Sequence, residues 1–209
     1  MTVKDAKLSF IVGVALDLFL ERSVNEVTVK DIALSSGIGE ATIYRYFANK
    51  KNVVVAAAEK LQKSVFDAYF KEISGKNGYE KICDFFSIYV RVFSERPSYF
   101  RFVNEFDSFM ISEGKATEEY SSGIDMFKSV FLSAYAEGLK DGSVRKIEDP
   151  ETFYYGTGHA MLELCKKLSI GEKIVRQDET TDAVAEISGL KDVILFYLAP
   201  RTPESGKIK

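Results

Sequence analysis

The sequence predicts an all-α chain of about nine helices. Three observations carry this. Apolar residues recur at helical spacing in nearly every segment, as in Leu8, Ile11, Val12, Ala15, Leu16 and Phe19. No stretch alternates apolar and polar residues as a half-buried strand does. All four prolines lie after residue 96, at predicted helix borders, where a missing N–H costs little.

The first predicted helix runs from Lys4 to Leu20 and turns its apolar stripe toward the two helices after it. Glu21 to Val27 is a connection, with Val24 and Val27 tucked inward. The stretch Thr28 to Lys50, TVKDIALSSGIGEATIYRYFANK, then reads as two short helices around a tight turn. Thr28 is an N-cap, answered three residues on by Asp31 as in a capping box. Val29, Ile32 and Ala33 face inward. Gly37 stands where a helix ends in a left-handed residue. The second short helix opens at Gly39-Glu40. Ile43 and Phe47, four apart, dock inward and leave Thr42, Tyr44, Arg45 and Tyr46 largely outside.

That outward set marks a candidate site. Hydroxyls and a guanidinium on one short helix suit phosphate oxygens, and arginine also suits a guanine edge in the major groove. The spacing is that of a helix-turn-helix whose second helix reads DNA, against the plainer possibility of a surface helical hairpin with scattered aromatics.

The residues Val29-Lys30-Asp31-Ile32-Ala33, Gly37-Ile38, Thr42-Ile43-Tyr44-Arg45-Tyr46-Phe47 and Asn49-Lys50-Lys51 closely resemble the TetR/AcrR family of bacterial transcriptional regulators. The resemblance spans about residues 8–52; beyond residue 60 it is architectural only. It implies that Thr28, Glu40, Ala41, Thr42, Tyr44, Arg45, Tyr46 and Lys50 form the DNA-binding set. Arg45 and Thr42 are expected to read bases, while Thr28, Tyr44, Tyr46 and Lys50 hold phosphates. Two departures stand out. Ser23 replaces a usual glycine. Gly39 replaces a usual serine, which removes a hydroxyl that could touch a phosphate.

Asn49 is an N-cap, and Val53 to about Ile73 runs without Gly or Pro as a connector helix. Ser74 to Gly78 breaks it. Helices follow at Tyr79–Glu95, Ser98 to about Ile111, Glu118–Lys140, Pro150 to about Ser169 and Asp182–Leu198. Loops are expected at Ser112–Ala116 and Gly171–Thr181, and Pro200 and Pro203 close a polar tail. Residues 1–52 are thus read as a DNA-binding head. Residues 53–209 are read as a ligand-binding and dimerisation body, with 53–73 as its connector.

The body is rich in aromatic residues. Phe85, Phe86, Tyr89, Phe93, Phe102, Phe106, Phe109, Phe127, Phe131 and Tyr135 are expected to share one bundle interior. Any one of them is more simply a packed core residue. Together they suit an apolar pocket, which the family resemblance implies for a small inducer. The ligand is then apolar or aromatic, with Tyr89, Tyr135 or His159 fixing its polar end. Gly156, Gly158 and Ala160 allow close helix approach. They point to Phe153–Lys166 paired with Ala183–Leu198 as a dimer surface, including Phe153, Gly156, Ala160, Ile187, Leu190, Ile194 and Tyr197. In the resembled family the last two helices form such an interface.

Composition sets the remaining bounds. The 209 residues are 46% apolar, which excludes general disorder and allows one large or two small domains. The net charge is −3, yet residues 1–52 hold seven Lys and Arg against six Asp and Glu. So weakly charged a head neutralises few phosphates, and two heads must act together. Cys83 and Cys165 read as small core residues in a reducing cytosol. No membrane span or leader is seen, so a cytoplasmic protein is expected. One histidine and two cysteines assemble no metal site, and no cofactor loop or catalytic constellation appears. The chain is therefore read as a homodimeric repressor, not an enzyme, released from a palindromic operator by its ligand. The alternatives are a helical carrier or enzyme that has lost DNA binding, and a regulator answering to a protein partner.

Overall fold

A computed structural model of the chain describes residues 2–114, 117–171 and 180–200. Most of the predicted 171–181 loop, the end of the 112–116 loop and the tail with Pro203 lie outside the described residues. Among the described residues there are nine α-helices and no strand. They are α1 (Val3–Glu21), α2 (Val29–Ser36), α3 (Glu40–Phe47), α4 (Lys50–Tyr69), α5 (Gly78–Glu95), α6 (Pro97–Glu113), α7 (Glu118–Asp141), α8 (Pro150–Ser169) and α9 (Ala183–Leu198).

The predicted borders move where local chemistry moves them. Asn49 Oδ1 accepts the Asn52 N–H at 2.9 Å, so α4 starts at Lys50, directly after the predicted cap and three residues before the connector's expected first residue, Val53. The connector's last turn tightens into a 3-10 segment, Phe70–Glu72. Pro97 opens α6 at its first position, where a missing N–H is harmless. Asp149 and Asp182 cap α8 and α9 through their carboxylates.

The chain divides into two compact units, Met1–Ala68 with Arg96–Asp125, and Tyr69–Glu95 with Met126–Lys209. The unit that holds residues 1–52 is therefore larger than those residues. Its core joins Ile11, Ala15 and Phe19 of α1 to Ile32 of α2, Ile43 and Phe47 of α3, and Val53, Val54 and Ala57 of α4. Phe102, Phe106 and Phe109 of α6 complete it. The Phe102 ring lies 6.3 Å from Phe19, and the Phe106 ring 4.8 Å from Tyr120.

The second unit has its own aromatic core. Phe85 meets Phe70, Phe86, Phe131 and Tyr154 edge-on at 5.3–6.2 Å between ring centroids. Phe127 stands edge-on to Phe70 at 4.7 Å. A β-carbon on Gly78 would lie 2.1 Å from the Gly138 nitrogen, so the start of α5 reaches the α7 backbone only as glycine. The single interior expected for the body's aromatics is thus two cores, and Phe102, Phe106 and Phe109 belong to the one that supports the head. Cys165 is fully buried in the second unit, and burial pushes its thiol up to about 12.

Candidate nucleic-acid interface

The geometry of α2 and α3 follows from caps and buried anchors. Thr28 Oγ1 accepts the Asp31 N–H at 3.2 Å, and Asp31 Oδ2 accepts the Thr28 N–H at 2.8 Å. The Thr28 hydroxyl and backbone together hold the Asp31 carboxyl below the usual carboxylate range. At the other end Gly37 takes φ +66°, its N–H turning back to α2 carbonyls. Ile38 N–H also reaches the Ala33 carbonyl, at 3.2 Å. The chain leaves this turn at Gly39, which caps α3 without a side-chain bond.

Ile43 and Phe47 then plant α3 on the core. Glu40, Ala41, Tyr44 and Arg45 are exposed, one and four residues apart on one helical face. Tyr44 keeps 47% of its surface in solvent. Thr42 and Tyr46 are half-buried, and Tyr46 packs against the core cluster. The Arg45 guanidinium rests 5.4 Å from the Tyr46 ring centre.

Two predicted contacts are otherwise engaged. The Thr28 hydroxyl serves the cap of α2, donating to Asp31 Oδ2 at 2.6 Å. Lys50 Nζ donates to the Asn25 carbonyl at 3.2 Å and lies 5.7 Å from the Phe109 ring centre. Burial there pushes its ammonium below the usual lysine range.

Helix α6 holds the turn that precedes α2, which the sequence did not reveal. The buried Val24 N–H donates to Glu105 Oε2 at 2.7 Å, and Arg101 donates to the Leu20 carbonyl. Lys51 Nζ reaches the Glu113 carbonyl at 2.7 Å. The Glu105 and Arg101 partners lie 81 residues away in sequence, so no local pattern signals them.

The ligand candidates divide. Phe86 and Phe131 are buried in the second unit, with Tyr89, Phe93 and Phe127 half-buried. The Tyr135 hydroxyl is buried and accepts the Ile147 N–H at 2.8 Å, so it serves the fold. His159 is exposed on α8 with its ring 6.0 Å from Tyr155, not among the buried rings. Among the described residues, no group of three or more His, Cys, Asp or Glu could hold a metal ion.

The dimer candidates divide as well. Gly156 and Ala160 are exposed on α8. Ile187 and Ile194, expected outward, are buried against their own chain, where α9 packs along α5 and α8. Phe153 stacks on Tyr197 at 5.6 Å, and Leu190 is half-buried. The exposed apolar face of α9 is instead Val193, Phe196 and Tyr197, with Phe196 85% in solvent. No described helix is long and apolar enough to cross a membrane.

Comparison with known proteins fits this geometry. Residues 11–57 match the family described as bacterial regulatory proteins, tetR family. No curated protein matches the sequence. Among solved structures, a putative transcriptional regulator from Saccharomonospora viridis, in complex with choline, is 20% identical with a TM-score of 0.69, covering 95% of this chain and 100% of that one. A putative TetR-family regulator from Mesorhizobium loti is 11% identical with a TM-score of 0.70, again covering 95% and 100%. The ketosteroid transcriptional regulator KstR2 of Mycobacterium tuberculosis is 18% identical with a TM-score of 0.59, covering 93% and 95%. Residues 11–57 thus carry the likeness to the tetR family, and the chain shares the all-α fold of these solved regulators.

Proposed function

We propose that the chain is a cytoplasmic, homodimeric repressor that reads a palindromic operator with α3, residues 1–52 forming the reading head. One observation carries this. Glu40, Ala41, Tyr44 and Arg45 face solvent on a helix whose opposite side, Ile43 and Phe47, is anchored in the core. In the proposed complex α3 lies in the major groove. Arg45 and Thr42 contact bases, and Tyr44, Tyr46 and Thr28 contact phosphates. Lys50 joins them by exchanging the Asn25 carbonyl for a phosphate. Glu40 accepts from a cytosine amine or stabilises its own helix N-terminus.

The second copy is proposed to pack on the exposed sides of α8 and α9, where Gly156, Ala160, Val193, Phe196 and Tyr197 lie. An apolar or aromatic ligand is proposed for the second unit, among Phe86, Tyr89, Phe93, Phe127 and Phe131. It would release DNA only by binding better to the conformation whose heads are misplaced. The chain crosses between its units three times, and the first crossing, at the end of α4, is the proposed route of that coupling. The choline bound by the S. viridis protein makes quaternary ammonium compounds useful first probes, since aromatic faces attract them.

The rival is a ligand-binding protein without DNA binding. It is favoured by the uncapped Gly39 and by the inward Lys50. Selection of random duplex DNA on the purified protein at two salt concentrations separates the two. A recovered palindrome with matched half-sites supports the regulator. No recovered sequence from folded dimer supports the rival.

A further inference from the structure

Two residues, Ala48 and Asn49, join the reading helix to α4, and the first of them is strained. Ala48 has φ +63° and ψ −42°, and it is the only described non-glycine residue with positive φ. The Asn49 N–H donates to the Phe47 carbonyl at 2.7 Å. That bond closes a three-residue γ-turn of the rare positive-φ kind. A β-carbon disfavours this conformation, so it persists only where neighbouring groups hold it.

The side chain of Asn52 supplies such a hold. Its Nδ2 donates to the same Phe47 carbonyl, also at 2.7 Å. Asn52 is the third residue of α4, and its backbone N–H is capped by Asn49 Oδ1. In α1 and α2 the third residue is Asp5 or Asp31, whose carboxylate accepts the N–H of the cap residue. In α4 the roles are reversed. The N–H of the cap residue turns back to Phe47, and the third residue offers a donor to that same carbonyl. A carboxylate at position 52 would favour the ordinary arrangement and pull the Asn49 N–H out of the γ-turn.

We infer that Asn52 is a positioning residue for DNA recognition. Its reversed cap locks the Ala48 turn, and the turn sets the angle at which α3 presents Tyr44 and Arg45. Both residues sit in the last turn of α3, and the Tyr44 carbonyl accepts the Ala48 N–H at 2.8 Å. A changed turn would pivot α3 about the buried Phe47 and displace them. This inference rests on the reading of α3 as the DNA-contacting helix.

The test uses full-length Asn52→Asp and Asn52→Ala, each alone and with Ala48→Gly. Asp restores an ordinary capping box, so it keeps stability while opening the turn. The expected result is an operator affinity about tenfold weaker in both single variants. Affinity for non-operator duplex and the melting temperature should change little. In DNA-free protein, NMR couplings should report a positive Ala48 φ in the native chain and a negative one in Asn52→Asp. Ala48→Gly, which removes the β-carbon, should return most operator affinity to Asn52→Ala. Equal losses on both DNAs, an unchanged Ala48 φ in both variants, or no recovery on adding Ala48→Gly would each overturn the inference. If the native protein selects no operator, the DNA-binding reading fails, and the Ala48 φ still decides whether Asn52 sets the turn.

Discussion

Glu105→Ala tests whether α6 belongs to the reading machinery. Its carboxylate accepts the N–H of Val24, a residue with no solvent exposure, at 2.7 Å. Val24 lies in the connection that brings the chain from α1 to the Thr28 cap. Alanine leaves that buried N–H without its acceptor, a loss of about 1–3 kcal/mol. Taking about 2 kcal/mol, a chain of this size should melt roughly 4–8 °C lower. Glu105→Gln keeps an oxygen acceptor and loses only the charge assistance, so about half that fall is expected. Thermal melts give the global effect. Amide exchange at Val24 gives the local one, and it should rise in the alanine variant well before the rest of the unit opens. Operator affinity should fall with it, because the turn positions both Thr28 and the Asn25 carbonyl that holds Lys50. A Glu105→Ala protein that melts within about 1 °C of the native chain would refute the reasoning, since 1 kcal/mol already moves the melt by roughly 2–4 °C. So would a Gln variant that falls as far as Ala.

Other positions make separate tests. Gly37→Ala should cost about 1 kcal/mol through its positive φ alone, since a β-carbon there meets nothing within 4 Å; Gly37→Asn should lose less. Asp31 has a folded-state pKa below its unfolded value, so its contribution is present above the ordinary carboxylate pKa and lost as pH falls through the depressed one. The melting gap between native protein and Asp31→Asn should therefore be full near neutrality and close below about pH 4; a gap that widens on acidification would contradict the Thr28 bond as its cause. Phe196→Glu should leave the folded chain intact and shift sedimentation to monomer, whereas Ile187→Ala should cost about 2–5 kcal/mol of folding stability. A Phe196→Glu dimer as tight as the native one would move the interface elsewhere.

The range of the forces involved decides which features were legible in the sequence and which were hidden. The caps at Thr28 and Asn49 and the left-handed Gly37 depend on neighbours within five residues, and local spacing found them; Ile43 and Phe47 were legible as an apolar pair four apart. Phe102, Phe106 and Phe109 have a helical stripe as regular as that of Phe86 and Tyr89, so periodicity could not tell which unit each stripe would fill. The faces of α9 were hidden for another reason. Val193 to Leu198 is an unbroken apolar run that points in every direction around the helix. Only packing against α5 decides that Ile194 turns in and Phe196 turns out. Asn52 was missed because its role depends on donor direction. A capping pattern looks for an acceptor at that position, and the amide acts as a donor.

The head's charge constrains how recognition can work. Arg45 is exposed on α3, whereas Lys50 already has a carbonyl partner and Thr28 a carboxylate one. If each head neutralises two phosphates, a dimer neutralises four, and log affinity should fall with log salt at a slope of about −4. That is a shallow dependence, and it leaves a single head with weak, unselective attraction for DNA. In the proposed complex, selectivity then rests on the proposed base contacts of Arg45 and Thr42, doubled by joining two heads. A tethered second head acts at an effective concentration on the order of millimolar. Loss of the tether therefore removes several orders of magnitude of operator affinity without touching α3. A monomeric Phe196→Glu chain should accordingly lose measurable operator binding altogether while keeping the fold of its head. If the monomer retained nearly native affinity, each head would be reading DNA through contacts well beyond α3.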